Sequence, residues 1–414
     1  MKPDKEISGS ELEKLAEELS EDPEDPVESE EAPPKKMKTW KKVLLIVILS
    51  LLGLIIAAVL TVMLYVNHLL NQITPYDTAN DATISSSEAE QMIEDDPEMV
   101  EIDDDEEIPD ITDLTFPEEL PVEPDQQDQQ DQQGQMGEVT GQLTQQQDPG
   151  PPVNWSNVVN IMLVGQDRRS GEGRQRSDSM ILVTFNKSKK TITLTSFMRD
   201  SYVRIPGYKP NKLNATYAFG GMSLLNQTLE QNFGVKVDGN VEVDFNNFQK
   251  LIDLLGGVDI KLTEKEADYL NKTYKWPGTR WEVKPGTQRL DGEQALAYSR
   301  IRKIDSDYRR AERQRKVVTN LIQRYKSQSV SKMLILLEDI LPLVVTNMGK
   351  GEIVDYVVEL TPMLAGSSIN TLRIPADGTF RQGNVRVRKG LAAWFQYDID
   401  FYANRRLLNK VFAE

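Results

Sequence analysis

Any chemistry this chain performs must come from carboxylates, guanidiniums, ammoniums, amides and hydroxyls. There is no cysteine among its 414 residues, which excludes a thiol nucleophile, an iron-sulfur cluster and a cysteine-ligated zinc. The single histidine, His68, leaves no base for a Ser-His-Asp triad and no multi-histidine metal site. What remains is concentrated in two places. The runs 158–164, 180–185 and 191–197 are short, apolar and β-branched, and NKSKK at 186–190 reads as a hairpin turn between the last two. An antiparallel hairpin puts Asp178, just before its first strand, beside Arg199 and Asp200, just after its second. Asp167 closes NIMLVGQD at 160–167 and reaches the same edge if that strand pairs antiparallel with 180–185. Three carboxylates and several arginines then share one rim. Crowded carboxylates call for a cation, and oxygen ligands with no histidine or cysteine suit magnesium (Mg2+) or manganese (Mn2+). The competing arrangement pairs Asp167 and Asp178 with Arg168, Arg169, Arg174 and Arg176, and spacing does not choose between the two.

The second group lies in YSRIRKIDSDYRRAERQRKVV at 298–318. On a helix beginning near Asp307, Arg310 and Gln314 are four apart, and Val317 with Leu321 continues the stripe into apolar positions. Arg310 and Gln314 are therefore expected to point toward the body of the domain. A guanidinium aimed inward needs an anion, and its planar fork matches phosphate oxygens. Arg300, Arg302 and Arg313 add donors nearby. The alternative is a solvated basic face that binds nucleic acid or acidic lipid without specificity.

These residues must be positioned by a packed domain, and the pattern after residue 153 supplies one. Strand-like runs alternate with helical patterns at 221–233, 246–255, 292–298, 307–326 and 332–345, which predicts an α/β or α+β layered fold. Charge marks its limits. Residues 1–34 hold 13 acids and 3 lysines, 35–42 hold 5 lysines, 43–150 hold 24 acids and no lysine or arginine, and 151–414 hold 28 acids and 40 bases. The net charge of -17 therefore conceals a basic domain of about +12 behind an acidic part of about -29. A basic domain prefers anionic partners.

The 24 residues from 43 to 66 carry no charge, enough at roughly 1.5 Å each to cross a hydrocarbon core of roughly 30 Å. A single N-terminal transmembrane helix is expected there. Lys35, Lys36, Lys38, Lys41 and Lys42 precede it and no base follows until Arg168, which places the N-terminus in the cytoplasm and the C-terminal domain outside the cell. That placement disfavours nucleic acid as a partner. The expected divisions are a disordered acidic tail ending in a lysine cluster at 1–42, the span at 43–66, an acidic Gln-rich solvated tether at 67–152 and a folded domain at 153–414.

The stretches NIMLVGQD (160–167), RSDSM (176–180), SFMRDSYVRIPG (196–207), KLNATYAFGG (212–221) and LDGEQALAYSRIRKIDSDYRRAERQRKVV (290–318) resemble the LytR-CpsA-Psr family of bacterial envelope proteins. The resemblance covers about 160 residues with its motifs in family order. It implies a mixed central β-sheet flanked by helices, with an apolar cavity that takes a polyprenyl chain. It also implies a magnesium-dependent phosphotransferase that moves a teichoic acid, capsule or related glycopolymer from a polyprenyl-pyrophosphate carrier to peptidoglycan. Asp167 and Asp178 match the family's metal-coordinating aspartates, while Arg199, Arg300, Arg302, Arg310 and Gln314 match its pyrophosphate contacts. Arg176 and Arg313 are expected to add substrate-binding donors. Asp200 and Asp307 match acidic positions, either of which is expected to serve as the base. Met198 stands where the family commonly has proline, and Ser179 where it has threonine; neither change removes a charge.

Two other functions share these features. A noncatalytic membrane-anchored sensor of wall polymer or lipid carrier would signal through the cytoplasmic tail, and a pyrophosphatase would use the same site with water as acceptor.

Overall fold

Runs of β-branched residues bury both faces of a sheet. In the computed structural model, Val158–Gln166 (β1), Ser177–Asn186 (β2) and Thr191–Phe197 (β3) are almost wholly buried. The structure describes residues 50, 60, 64–65, 67–68, 70–76, 81–94, 98–103, 106–116, 153–166, 175–273, 275–276, 279–364 and 366–413. The expected tail at 1–42 and most of the expected span at 43–66 lie outside the described residues, as do 117–152 and Asp167. Among the described residues no helix is long and apolar enough to cross a membrane. The chain divides into two units, Met1–Leu64 and Tyr65–Glu414, and every element below belongs to the second.

The remaining longer strands are Gly239–Asp244 (β4), Val258–Leu262 (β5), Gly286–Leu290 (β6), the two-residue Val345–Thr346 (β7), Ser368–Ile374 (β8), Arg381–Arg388 (β9) and Leu391–Tyr397 (β10). The helices are Ser86–Glu94 (α1), Ala215–Phe233 (α2), Phe245–Leu254 (α3), Glu264–Thr273 (α4), Gly292–Ser299 (α5), Asp307–Lys326 (α6), Val330–Ile340 (α7), Lys350–Leu364 (α8) and Phe401–Phe412 (α9). The main sheet has seven strands in the order Thr74–Pro75, β7, β4, β1, β2, β3, β8. It is mixed: β2 runs antiparallel to both β1 and β3, while β4 runs parallel to β1 and β8 parallel to β3. The layered α/β expectation and the hairpin both hold.

Alternation along the strands decides which side chains face which layer. Met162, Val164, Met180 and Leu182 point into a core built with α2 and α9 through Leu225, Leu229, Leu408 and Phe412. Ile161, Ile181 and Val183 point the other way, toward α6 and α8. Each fully buried side chain of this size stabilises the fold by roughly 1.5–3 kcal/mol. A second core under the antiparallel β5–β6 pair joins α3, α4, α5 and α6 through Ile252, Ile260, Leu270, Tyr298 and Val317.

Three expectations need revision. Helix α2 begins six residues before the expected position, at Ala215, and kinks at Gly220 and Gly221, whose φ of 62° at Gly221 only glycine adopts readily. The glycine pair hid the first half from the periodicity. Helix α7 ends at Ile340 because Pro342 has no amide to continue it, and a short 3-10 turn leads into β7. The largest difference concerns the expected tether at 67–152. Its described first half is part of the domain: Tyr76 and Ala89 are buried in the main core, Thr74–Pro75 pairs with β7, and Val100–Glu101 pairs with β10. These segments carry too few apolar residues to build a core, but enough to dock Tyr76, Ile84, Met92 and Phe116 onto one that already exists.

Candidate active site

The hairpin register delivers the predicted rim. Asp178 is the second residue of β2, and β3 ends at Phe197, two residues before Arg199. The end of β1 at Gln166 lies opposite Ser177, so β1 finishes at the same edge. Helix α5 is stopped with Arg300 as its cap residue, and the turn that follows carries Arg302 across to α6. Asp307 opens α6, where a carboxylate complements the helix dipole, and Arg310 follows one turn later.

The side chains interlock by charge. Arg199 is 9% exposed and lies 2.8 Å from Glu98, 3.3 Å from Asp178, 3.4 Å from Asp200 and 3.4 Å from Asp307. Arg302 reaches Glu98 and Asp178, each at 3.1 Å. Arg310 is buried and sits 3.2 Å from Asp307. Lys212, also buried, has its Nζ 3.4 Å from Asp200 and 4.0 Å from Glu98.

Four acids and four bases thus share one small volume, and it divides the ionisation of Asp200 and Asp307. Burial pushes the Asp200 carboxyl above the usual range despite Arg199 and Lys212 beside it. Burial acts on Asp307 in the same sense, but Arg310, Arg199 and Arg302, together with a hydrogen bond shared with Asp200, outweigh it and hold Asp307 below the usual range. These opposite shifts make Asp200 the more readily protonated of the two and Asp307 the more readily ionised. Burial, reinforced by repulsion from Arg199, lowers the Arg310 guanidinium to about 10. A cation held at that cost gains most from an arriving anion.

Directly behind the rim lies an apolar cavity of about 890 Å³. Its walls are the sheet face at Ile181 and Val183, α6 at Val318 and Ile322, α7 at Ile340 and α8 at Val357 and Leu360. Its charged lining is Asp178, Arg300, Arg302 and Arg310, with Gln314 one turn beyond Arg310 on α6 and Arg302 3.1 Å from Asp178. The volume lies at the upper end of ordinary ligand pockets, and apolar walls with one charged end suit an amphiphile with an anionic head.

Of the residues predicted from sequence, Asp178, Arg199, Asp200, Arg300, Arg302, Asp307, Arg310 and Gln314 come together here. Arg300 reaches the cavity with its guanidinium 4.4 Å from the Phe245 ring centre. Two expectations change. Arg313 does not face the rim: three residues beyond Arg310, it is turned roughly 60° around the helix and binds Glu266 at 2.8 Å, the Ile301 carbonyl at 3.0 Å and Asp305. It staples α6 to α4. Arg176 donates to the Met92 carbonyl at 2.8 Å and so fastens α1 to the start of β2. Glu98 and Lys212 were not anticipated. Glu98 sits in an acidic stretch with nothing local to distinguish it, whereas Lys212 lies in the KLNATYAFGG motif and its burial between strands and acids was the missing signal.

The sequence profile of the LytR_cpsA_psr family matches residues 122–396. The chain belongs to the LytR_cpsA_psr family. Its similarity to individual family proteins is substantial. It is 38% identical over 186 residues to the polyisoprenyl-teichoic acid–peptidoglycan teichoic acid transferase TagT of Bacillus subtilis strain 168, covering 44% of this chain and 56% of that one. It is 33% identical over 250 residues to biofilm regulatory protein A of Streptococcus mutans serotype c, covering 54% of this chain and 58% of that one. The chain thus spans a little over half the length of these relatives. The solved structure of TagT bound to LI-WTA superposes with a TM-score of 0.50 and 27% identity over 64% of this chain and 92% of that one. The mixed sheet flanked by helices is therefore a LytR_cpsA_psr fold.

Proposed function

We propose that this protein transfers an anionic glycopolymer, such as a teichoic acid or capsule polymer, from a polyprenyl-pyrophosphate carrier to a peptidoglycan hydroxyl. The observation that carries the reading is the junction of the 890 Å³ apolar cavity with the cluster of Arg302, Arg310 and Arg199 at its polar end. A prenyl chain matches the walls, and a pyrophosphate matches the guanidinium forks. The named activity of TagT supports the same substrate class.

The acceptor hydroxyl oxygen attacks the phosphorus that carries the polymer, a new phosphodiester forms, and the bond to the bridging oxygen breaks to release polyprenyl phosphate. The displaced proton is taken up at the Asp307 carboxylate, whose side chain is 30% exposed. Arg199, Arg302 and Arg310 hold the phosphoryl oxygens whose charge shifts during transfer.

The rim also fits a hard divalent cation, because its acidic groups supply only oxygen donors. Among the described residues no group of three such ligands forms a metal site by itself. Asp178 would hold magnesium or manganese together with Asp167, and the bound ion would neutralise pyrophosphate charge. The uncharged run at 43–66 would anchor the chain with its N-terminus in the cytoplasm and this domain facing the wall.

Purified full-length protein, supplied with a short-chain polyprenyl-pyrophosphate glycopolymer and peptidoglycan acceptor, tests the reading. Asp178→Ala and Arg310→Ala should both lose transfer, and near-wild-type rates in both would refute the assignment. A noncatalytic sensing role, which the name of the Streptococcus mutans relative favours, requires the tail. Deleting residues 1–34 should abolish such signalling and leave transfer intact.

A further inference from the structure

The Arg199–Arg302 clamp is already bridged by two carboxylate oxygens. Asp178 Oδ1 lies 3.3 Å from Arg199 Nη1 and 3.1 Å from Arg302 Nη2. Glu98 Oε1 lies 2.8 Å from Arg199 Nη2 and 3.1 Å from Arg302 Nη1. Each oxygen is thus shared by both guanidiniums, as two oxygens of a phosphoryl group would be. The two acids differ in how they are held. Asp178 is built into β2, whereas Glu98 lies in the connection between α1 and Val100–Glu101, outside any helix or strand.

Described residues on both sides of Glu98 are held to the domain. Arg176 grips the Met92 carbonyl at 2.8 Å, and Val100–Glu101 pairs with Leu391 and Ala392 of β10. The Glu98 side chain is 35% exposed, and its other oxygen lies 4.0 Å from Lys212. The cations outweigh burial and keep Glu98 ionised below the usual carboxylate range.

We propose that Glu98 is an internal anion that occupies one phosphate position of the clamp, so that a pyrophosphate substrate must displace it to bind. The inference rests on the reading of this rim as a pyrophosphate site and adds a control on its affinity. Entry of a doubly charged phosphate releases the Glu98 carboxylate to solvent. Between turnovers the same carboxylate keeps Arg199 and Arg302 paired. An external anion then binds more weakly by the fraction of time the clamp is free: occupancy by Glu98 nine-tenths of the time weakens binding about tenfold.

The test is calorimetric titration of inorganic pyrophosphate into full-length protein in detergent at fixed ionic strength. It compares wild type, Glu98→Gln, Glu98→Ala and Arg302→Ala, each checked for an unchanged melting transition. Both Glu98 variants should bind pyrophosphate about tenfold more tightly than wild type, and Arg302→Ala more weakly. If wild type binds pyrophosphate and the Glu98 variants bind equally or less well, Glu98 is a positioning partner of the clamp and the proposal fails alone. If none of the four proteins binds pyrophosphate, the reading of the rim fails and takes the proposal with it. Binding detectable only in the Glu98 variants supports both.

Discussion

The Arg310 guanidinium reaches back one turn of its own helix to Asp307, with Nη1 3.2 Å from Oδ1, and Arg310 itself lines an apolar cavity. Because Arg310 is buried beside Arg199, its charge is costly until an anion arrives. Replacing it with alanine should lower transfer about 100-fold or more while leaving the lipid cavity intact. Arg310→Lys restores a charge but not the planar fork and should recover only part of the loss. Steady-state transfer rates with both variants check this.

Arg313 and Arg302 should separate stability from activity. Arg313 is buried against Glu266, and burial of Glu266 is outweighed by its Thr263 and Arg313 hydrogen bonds, which keep it ionised. Arg313→Ala leaves that carboxylate unpaired and should cost about 3–5 kcal/mol of unfolding free energy. Arg302 is 42% exposed, so Arg302→Ala should change stability by less than about 1 kcal/mol. It should nevertheless weaken substrate binding. Denaturant titration of both variants, alongside transfer assays, distinguishes the two roles.

Filling the cavity should block the carrier without touching the charges. Val318 lines the cavity from α6 against the sheet face. Val318→Trp places a large ring in space that the fold leaves open, so it should keep the wild-type melting transition and lose co-purifying prenyl lipid. Native mass spectrometry of the detergent-purified protein reads the lipid directly.

The two aspartates should respond to pH in opposite directions. Asp307 is held below its ordinary value, so its ionised form stabilises the fold. That contribution is complete above the unfolded value of about 3.9 and is lost as pH falls through the lower folded value. Asp200 is held above its ordinary value, so its contribution is complete below about 3.9 and is lost as pH rises through the higher folded value. Unfolding free energies of wild type, Asp307→Asn and Asp200→Asn between pH 3 and pH 7, a range spanning the ordinary carboxylate values, should show the Asp307 contribution growing with pH and the Asp200 contribution shrinking. Parallel trends would contradict this division of ionisation between the two carboxyls.

What could be read from the sequence was local or repeated at a fixed period. The hairpin carrying Asp178, Arg199 and Asp200 depends on two strands five residues apart, and the Arg310–Gln314 face depends on helical spacing alone. Glu98 lies 101 residues from Arg199 in an acidic stretch whose composition argues against structure, so only the folded domain selects it. Arg313 belongs to the same basic run as Arg310, and its destination was set by α4, which packs Glu266 against it. Lys212 is 2% exposed, a position that no local pattern marks as suited to a lysine.

The central claim, that a lipid pyrophosphate head sits at the guanidinium rim with its chain in the cavity, is tested most directly by a crystal structure with a short polyprenyl pyrophosphate. The phosphates should lie within hydrogen-bonding distance of Arg199, Arg302 and Arg310, with the prenyl units against Ile181, Val183 and Val318. A head group bound elsewhere, with the cavity empty and the rim arginines still paired only to their own acids, would contradict it.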